Sequence, residues 1–438
     1  MNPSTWRPSW PRRPPAALAR GVPSKRAALA ALSCVLACLA APARADGPGV
    51  LVGETARLHL LFDVEGRYDS LAGQGGIGPT QAVPVVDPAE IILHFRPGLK
   101  LAAPGNKVDF EALAGLDWTR FTGWLAPTQE LSFLGANAGA TLEMGRGGPV
   151  SFRLGEQFTR SDRTTNPALG LGAITSANDL GARLSLRPGG GAIEAGAGYD
   201  FMLESYESYN PKTPGTSTDD NVNPAKFGQF GSQTHRLALD ARWRFLPKTA
   251  FTLDSSWALR VYDSQTANIG TKPLRVEAGL AGLITEKVRI TLRGGWLKTF
   301  ADKGAEFSGV VGQLELGWNP TDTTGITLGV LRSAEPVSST FGWYDDFRGY
   351  LSGRIALGGR VALTASAKVD RIAFANAASG SAGARTDTQG SFDAAMDIEL
   401  LRVLHAVLGG VITSRDSTEG GFYTYARTEG YLKLQFNY

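Results

Sequence analysis

The sequence predicts an all-β protein: a transmembrane antiparallel β-barrel of about 18 strands, with short periplasmic turns and long extracellular loops. Three observations predict it. Apolar and polar residues alternate with a period of two, connections alternate between short and long, and aromatic residues gather at both ends of the alternating segments.

The chain opens with Arg7, Arg12, Arg13, Arg20, Lys25 and Arg26 and no acid before residue 27, where the apolar run AALAALSCVLACLAA begins. That run is too short for a spanning helix and lies beside Ala43-Arg44-Ala45. Residues 1–45 therefore read as a secretory signal peptide cleaved before Asp46. A start nearer Val22 and a lipoprotein acylated at Cys38 are the alternatives, the second weakened by Leu36. Residues 46–438 then form a single outer-membrane β-barrel, because no composition shift, Ser-rich linker or block of like charge divides them.

Seven of the 44 basic residues and none of the 41 acids fall in the leader, so the remainder carries 37 − 41, a net charge of −4. No basic stripe is left to neutralise phosphates, which argues against nucleic acid as a partner. Both cysteines, Cys34 and Cys38, also lie in the leader, in keeping with export to an oxidising compartment.

In Arg236–Phe245, Leu237, Leu239, Ala241, Trp243 and Phe245 share one face and Arg236, Asp240, Arg242 and Arg244 the other. A helical period of 3.6 would smear these sets around the circumference, whereas a strand separates them. Eighteen such segments follow one another: 57–68, 89–100, 108–119, 130–142, 150–160, 178–187, 192–204, 233–245, 250–262, 273–283, 288–300, 308–318, 325–333, 343–356, 361–374, 390–400, 405–414 and 423–438. Many match the roughly 9–11 residues a tilted strand needs to cross a bilayer.

Every second connection is short: 187–191, 246–249, 284–287, 319–324 and 357–360. The intervening ones are long and polar, among them 69–88, 161–177, 205–232 and 375–389. Short turns on one side and long loops on the other mark an outer-membrane barrel with both termini in the periplasm. Phe110, Phe152, Trp243, Phe245, Phe251, Trp318 and Phe436 cluster at the short-turn ends, and Trp118, Tyr199, Trp257, Trp296 and Trp343 toward the long-loop ends, as two interfacial girdles would require.

The last segment, YLKLQFNY, alternates Leu432, Leu434, Phe436 and Tyr438 with polar partners. It resembles the C-terminal strand of outer-membrane barrel proteins. The resemblance implies that these four residues form the signal read by the barrel-assembly machinery, which would be a partner alongside outer-membrane lipid. This strand must also pair with 57–68, since an open edge in lipid leaves backbone groups unsatisfied. Across the chain, segments such as HRLALDARWRFLPKTAFTLDSSWALRVYD resemble the porin-type barrels of bacterial outer membranes, some encoded alongside exopolysaccharide export machinery. That resemblance implies a channel and carries no catalytic motif.

Function is therefore expected in the lumen, which about 18 strands leave wide enough for water. Inward Gly181, Ser185, Thr291, Ser352, Thr364 and Ser366 support an open interior. The pore-lining candidates are Arg183, Arg242, Arg244, Arg260, Arg275 and Arg293 on one sector, with Asp109, Glu111, Asp117, Asp393, Asp397 and Glu399 on others. Opposed across the lumen, these sets would select permeants by charge; paired locally, they would merely solvate the wall. The 205–232 loop, with Tyr206, Tyr209, Asp219, Asp220 and Phe227, is either a constriction or a surface loop.

Two permeants fit: small hydrophilic solutes entering, or a secreted polysaccharide leaving, for which Tyr350 and Tyr431 would supply contacts. The rival readings are a barrel-type enzyme and a structural or adhesive barrel. His59, His94, His235 (at a strand edge) and His405 lie in no Ser/His or metal-ligand spacing, so neither catalytic residues, metal nor cofactor is expected. The oligomeric state is left open, because lipid-facing and subunit-facing strands are equally apolar.

Overall fold

The computed structural model describes residues 49–72, 89–125, 132–162, 166–168, 173–208, 230–264, 269–304, 306–337, 342–375, 382–419 and 423–438. After a short lead-in, β1 (Val50–Val52), the wall is built from β2 (Ala56–Asp69), β3 (Glu90–Ala103), β4 (Val108–Phe121), β5 (Phe133–Met144), β6 (Val150–Ser161) and β7 (Ala173–Leu186). It continues through β8 (Ile193–Ser208), β9 (Ser232–Leu246), β10 (Thr249–Tyr262), β11 (Leu274–Leu283), β12 (Val288–Lys298) and β13 (Ser308–Thr321). β14 (Thr324–Pro336), β15 (Trp343–Leu357), β16 (Val361–Ala375), β17 (Ala382–Leu401), β18 (Leu404–Ser417) and β19 (Tyr425–Asn437) complete it. Among the described residues no helix is long and apolar enough to cross a membrane.

Each strand from β2 onward pairs antiparallel with the next, and β19 pairs with β2, so eighteen strands close into a barrel. At the seam Leu60 and Tyr438 exchange both backbone hydrogen bonds at 3.0 Å. Closure removes the free edge that lipid could not satisfy. β1 occupies the stretch of the same β2 edge that lies past Tyr438, pairing Val50 with Leu58 and Val52 with Ala56. The sequence did not reveal β1, since three consecutive apolar residues show no alternation.

All eighteen expected segments are strands, most of them longer than expected. β7 begins at Ala173 and β17 at Ala382, so much of the expected loops 161–177 and 375–389 is strand. The reason is chemical. Thr175 and Ser176, or Asp387 and Thr388, put polar residues on both faces, which erases the alternation while backbone pairing continues. The opposite ends turn tightly; in the 358–360 reversal Gly358 and Gly359 have φ of 60° and 78°, which L side chains rarely adopt.

The outward face is predominantly apolar. On β9, Leu237, Leu239, Trp243 and Phe245 are exposed while Arg236, Asp240 and Arg242 turn inward. Trp243, Phe245, Phe251 and Trp318 are exposed at the short-turn end, and Trp118, Tyr199, Trp257 and Trp296 nearer the loops. Trp343 departs from its expected place in the girdle. It is buried, packed edge-on against Phe307 with ring centroids 5.1 Å apart, because it opens β15 beside the β12–β13 connection.

Candidate functional site

Inside the wall, glycines let long side chains lie flat. Arg183 on β7 reaches Asp240 on β9 at 2.5 Å, across Gly196 of β8, where a Cβ would stand 2.6 Å from the guanidinium. Arg293 on β12 reaches Asp254 on β10 at 3.7 Å across Gly279 of β11, and Tyr350 on β15 donates to Glu315 on β13 at 2.8 Å across Gly329 of β14. Strands two apart are separated by nearly 10 Å, about the combined reach of such side chains when nothing stands between them.

The expected pore-lining residues all sit on inward positions, but their charges pair within their own sector. Arg244 faces Glu194 at 3.7 Å, Arg260 binds Glu204 at 2.5 Å and Arg275 faces Glu335 at 3.4 Å. Among the acids, Asp109 takes Arg146 at 2.6 Å, Glu111 faces Lys100 at 3.6 Å, and Asp117 takes Arg96 at 2.8 Å and His94 at 2.9 Å. Asp397 bonds His405 at 3.0 Å and Asp393 accepts from the Ser366 hydroxyl. Arg242 and Glu399 also point inward, from β9 and β17. Arg and acid sectors therefore do not meet as two opposed arrays.

Toward the loop ends the interior is densely ionic. Arg348 joins Asp346 at 3.1 Å and also binds Asp370. Arg385 and Asp387, both fully buried, meet at 2.7 Å, and Arg415 closes on the same carboxylate. The Arg385 guanidinium lies between the rings of Phe374 (4.5 Å) and Tyr423 (3.3 Å), and burial pushes the Tyr423 hydroxyl above its ordinary pKa. Sequence reading missed Arg385 and Asp387 because they fall where a loop was expected. Their i, i+2 spacing in ARTDTQ was the available signal.

One connection reaches the far wall. Asn166, Pro167 and Ala168, between β6 and β7, lie within the mouth: Arg415 Nη2 on β18 donates to the Pro167 carbonyl at 2.7 Å. Ala168 packs with Val337, Tyr344, Ile372 and Phe374. β15, which carries Tyr344, is nine strands on from β6 in a ring of eighteen, directly opposite. Of the 205–232 segment, Tyr206 is a buried residue of β8, while Tyr209, Asp219, Asp220 and Phe227 lie outside the described residues.

His94 contacts Asp117 (2.9 Å) and Thr119 (3.2 Å) through the same Nδ1, whereas a relay needs acid and nucleophile on opposite ring nitrogens. His235 sits within β9 on the outward face, not at a strand edge, with Nδ1 2.7 Å from the Tyr199 hydroxyl. Among the described residues no three His, Cys, Asp or Glu side chains converge as metal ligands.

No protein-family model and no curated sequence matches the chain. Solved structures similar to it include the siderophore receptor PirA from Pseudomonas aeruginosa, at 9% identity over 88% of this chain and 81% of that one, TM-score 0.44. The ferric enterobactin receptor PfeA from the same organism, a mutant bound to enterobactin, is 10% identical over 89% and 82%, TM-score 0.45. The FrpB iron transporter from Neisseria meningitidis is 10% identical over 84% of this chain, which spans only 62% of FrpB, TM-score 0.48.

Proposed function

We propose that the chain is an outer-membrane channel of the porin type, exported by its leader and passing small hydrophilic solutes through the lumen. The observation that carries this reading is the wall itself: eighteen closed strands, apolar outside and lined inside with ionised and hydroxylated side chains. Such a wall is stable only with lipid on one side and water on the other. Small solutes are favoured over a polymer because Asn166–Ala168 and the buried ion pairs narrow the extracellular end. Tyr350 is held by Glu315, and Tyr431 lies over Gly409 with Arg67 5.8 Å from its ring, so neither stands free as a stacking platform.

The test is conductance across a planar bilayer containing the purified mature protein, with reversal potentials under a salt gradient. Stepwise openings are expected. Silence from a demonstrably folded barrel, together with no solute flux into proteoliposomes, would overturn the channel reading.

A further inference from the structure

Between the wall of β7–β11 and the end of β14 lies a cavity of about 70 Å³, room for several water molecules and so for a solute of similar size. It exists because the residues flanking its charges are small. Gly181, Asp200, Arg236 and Ala258 form one row across β7–β10, and Ser256 stands opposite Arg275. β14 covers it: Arg275 Nη2 donates to Ser333 Oγ at 2.8 Å, and Arg260 Nη1 to the Pro336 carbonyl at 3.5 Å. Met202 and Leu297 supply apolar lining.

Two poles in this lining are incompletely satisfied. Asp200 receives both Arg236 bonds, from Nε at 3.0 Å and from Nη2, on Oδ2 alone. Its Oδ1 lies over Gly181, where a Cβ would be 2.9 Å away, and has no hydrogen bond among the described residues; the side chain is 29% exposed. On the other side Arg275 directs Nη2 to Ser333, Ala334 and Glu335, while Nη1 is buried with no partner among the described residues. A buried guanidinium N–H without an acceptor is costly, and the part-exposed carboxylate oxygen has an open position for a donor. A single ion would satisfy one and leave the other; a dipolar molecule satisfies both without adding net charge to a desolvated region.

We propose that this cavity binds a small zwitterionic solute of amino-acid size, its ammonium donating to Asp200 Oδ1 and its carboxylate accepting from Arg275 Nη1. The proposal rests on the lumen being a solute path and names a class of solute for it.

Titration calorimetry on the folded full-length barrel in detergent tests it, with L-alanine, acetate and methylammonium as probes. L-alanine is expected to bind saturably and about tenfold or more tighter than either half-probe. Arg275→Gln should weaken alanine by a similar factor and leave methylammonium unchanged; Asp200→Asn should weaken it and leave acetate unchanged. Ser256→Leu, which fills the cavity while keeping both charges, should abolish all three, and it decides the matter if a charge variant does not fold. Absence of saturable alanine binding, equal affinity for the half-probes, or indifference to Ser256→Leu would overturn the proposal. Binding is read without conduction, so a silent bilayer with bound alanine sinks only the channel reading, and conduction without binding sinks only this one.

Discussion

Arg183 and Asp240 are joined at 2.5 Å although a whole strand lies between them, and the join exists because β8 offers Gly196 where any other residue would project a Cβ. A methyl there would stand 2.6 Å from Arg183 Nη2 and 2.8 Å from Asp240 Oδ1. Gly196→Ala is therefore expected to part the pair and lower stability by about 1–3 kcal/mol. Gly198→Ala, two residues on along the same face, meets nothing nearer than 3.5 Å and should be neutral. Urea unfolding in lipid vesicles compares them, and equal midpoints would refute the account.

Asp387 is wholly buried and serves two guanidinia at once, Arg385 and Arg415. Asp387→Ala strands both, and a broken buried ion pair costs about 3–5 kcal/mol. Asp416 is the neighbouring exposed acid, and Asp416→Ala should stay within about 0.5 kcal/mol of the parent. A small loss for Asp387→Ala would mean that water reaches the cluster. Because Arg415 also holds the Pro167 carbonyl, the first variant should in addition expose Ala168 to labelling after its replacement by Cys.

The wall was legible in the sequence because one simple rule, alternate solvents on alternate faces, governs most of each strand; Leu237 to Phe245 obey it with Ala238 as the one departure. Orientation of the lining followed from the same parity, which put Arg183, Arg260 and Asp117 inward. What alternation does not encode is the partner. Arg183 meets Asp240 through a glycine on a third strand, and Ala168 meets Tyr344 across the ring, so both depend on closure and not on local pattern. Where strands rise above the apolar band, as at Arg385–Asp387, both faces turn polar and the rule falls silent.

The seam between β19 and β2 can be locked. Gln435 lies directly opposite Asp63, with Gln435 Nε2 donating to Asp63 Oδ2 at 3.3 Å. The pair lies three residues along the ladder from the doubly bonded Leu60–Tyr438 pair, and an odd step makes it the closer, non-hydrogen-bonded kind. Both cysteines of the sequence precede residue 45, so Asp63→Cys with Gln435→Cys adds the sole thiols of residues 46–438. Oxidation should form the disulfide readily, and the oxidised barrel should keep its folded mobility in SDS at temperatures that unfold the reduced one. Failure to cross-link would mean that the first and last strands do not meet.

On the proposed channel reading, selectivity should reside in lumen charges that face water, not in the inward arginines that are already neutralised. Arg289 has a side chain 54% exposed and a loose contact with Glu315 at 3.5 Å, and Arg354 projects inward, exposed, from β15. Arg260, by contrast, is buried and bound to Glu204 and Ser232. A permeant feels unpaired, solvated charge far more than a closed pair. Arg289→Ser combined with Arg354→Ser is therefore expected to move the reversal potential toward cations at low salt, and the shift should fade near 1 M, where the Debye length falls to about 3 Å. Arg260→Ser should instead reduce the yield of folded barrel and leave the selectivity of what folds unchanged. The reverse pattern would place the conducting path along β8–β10, through the buried pairs themselves.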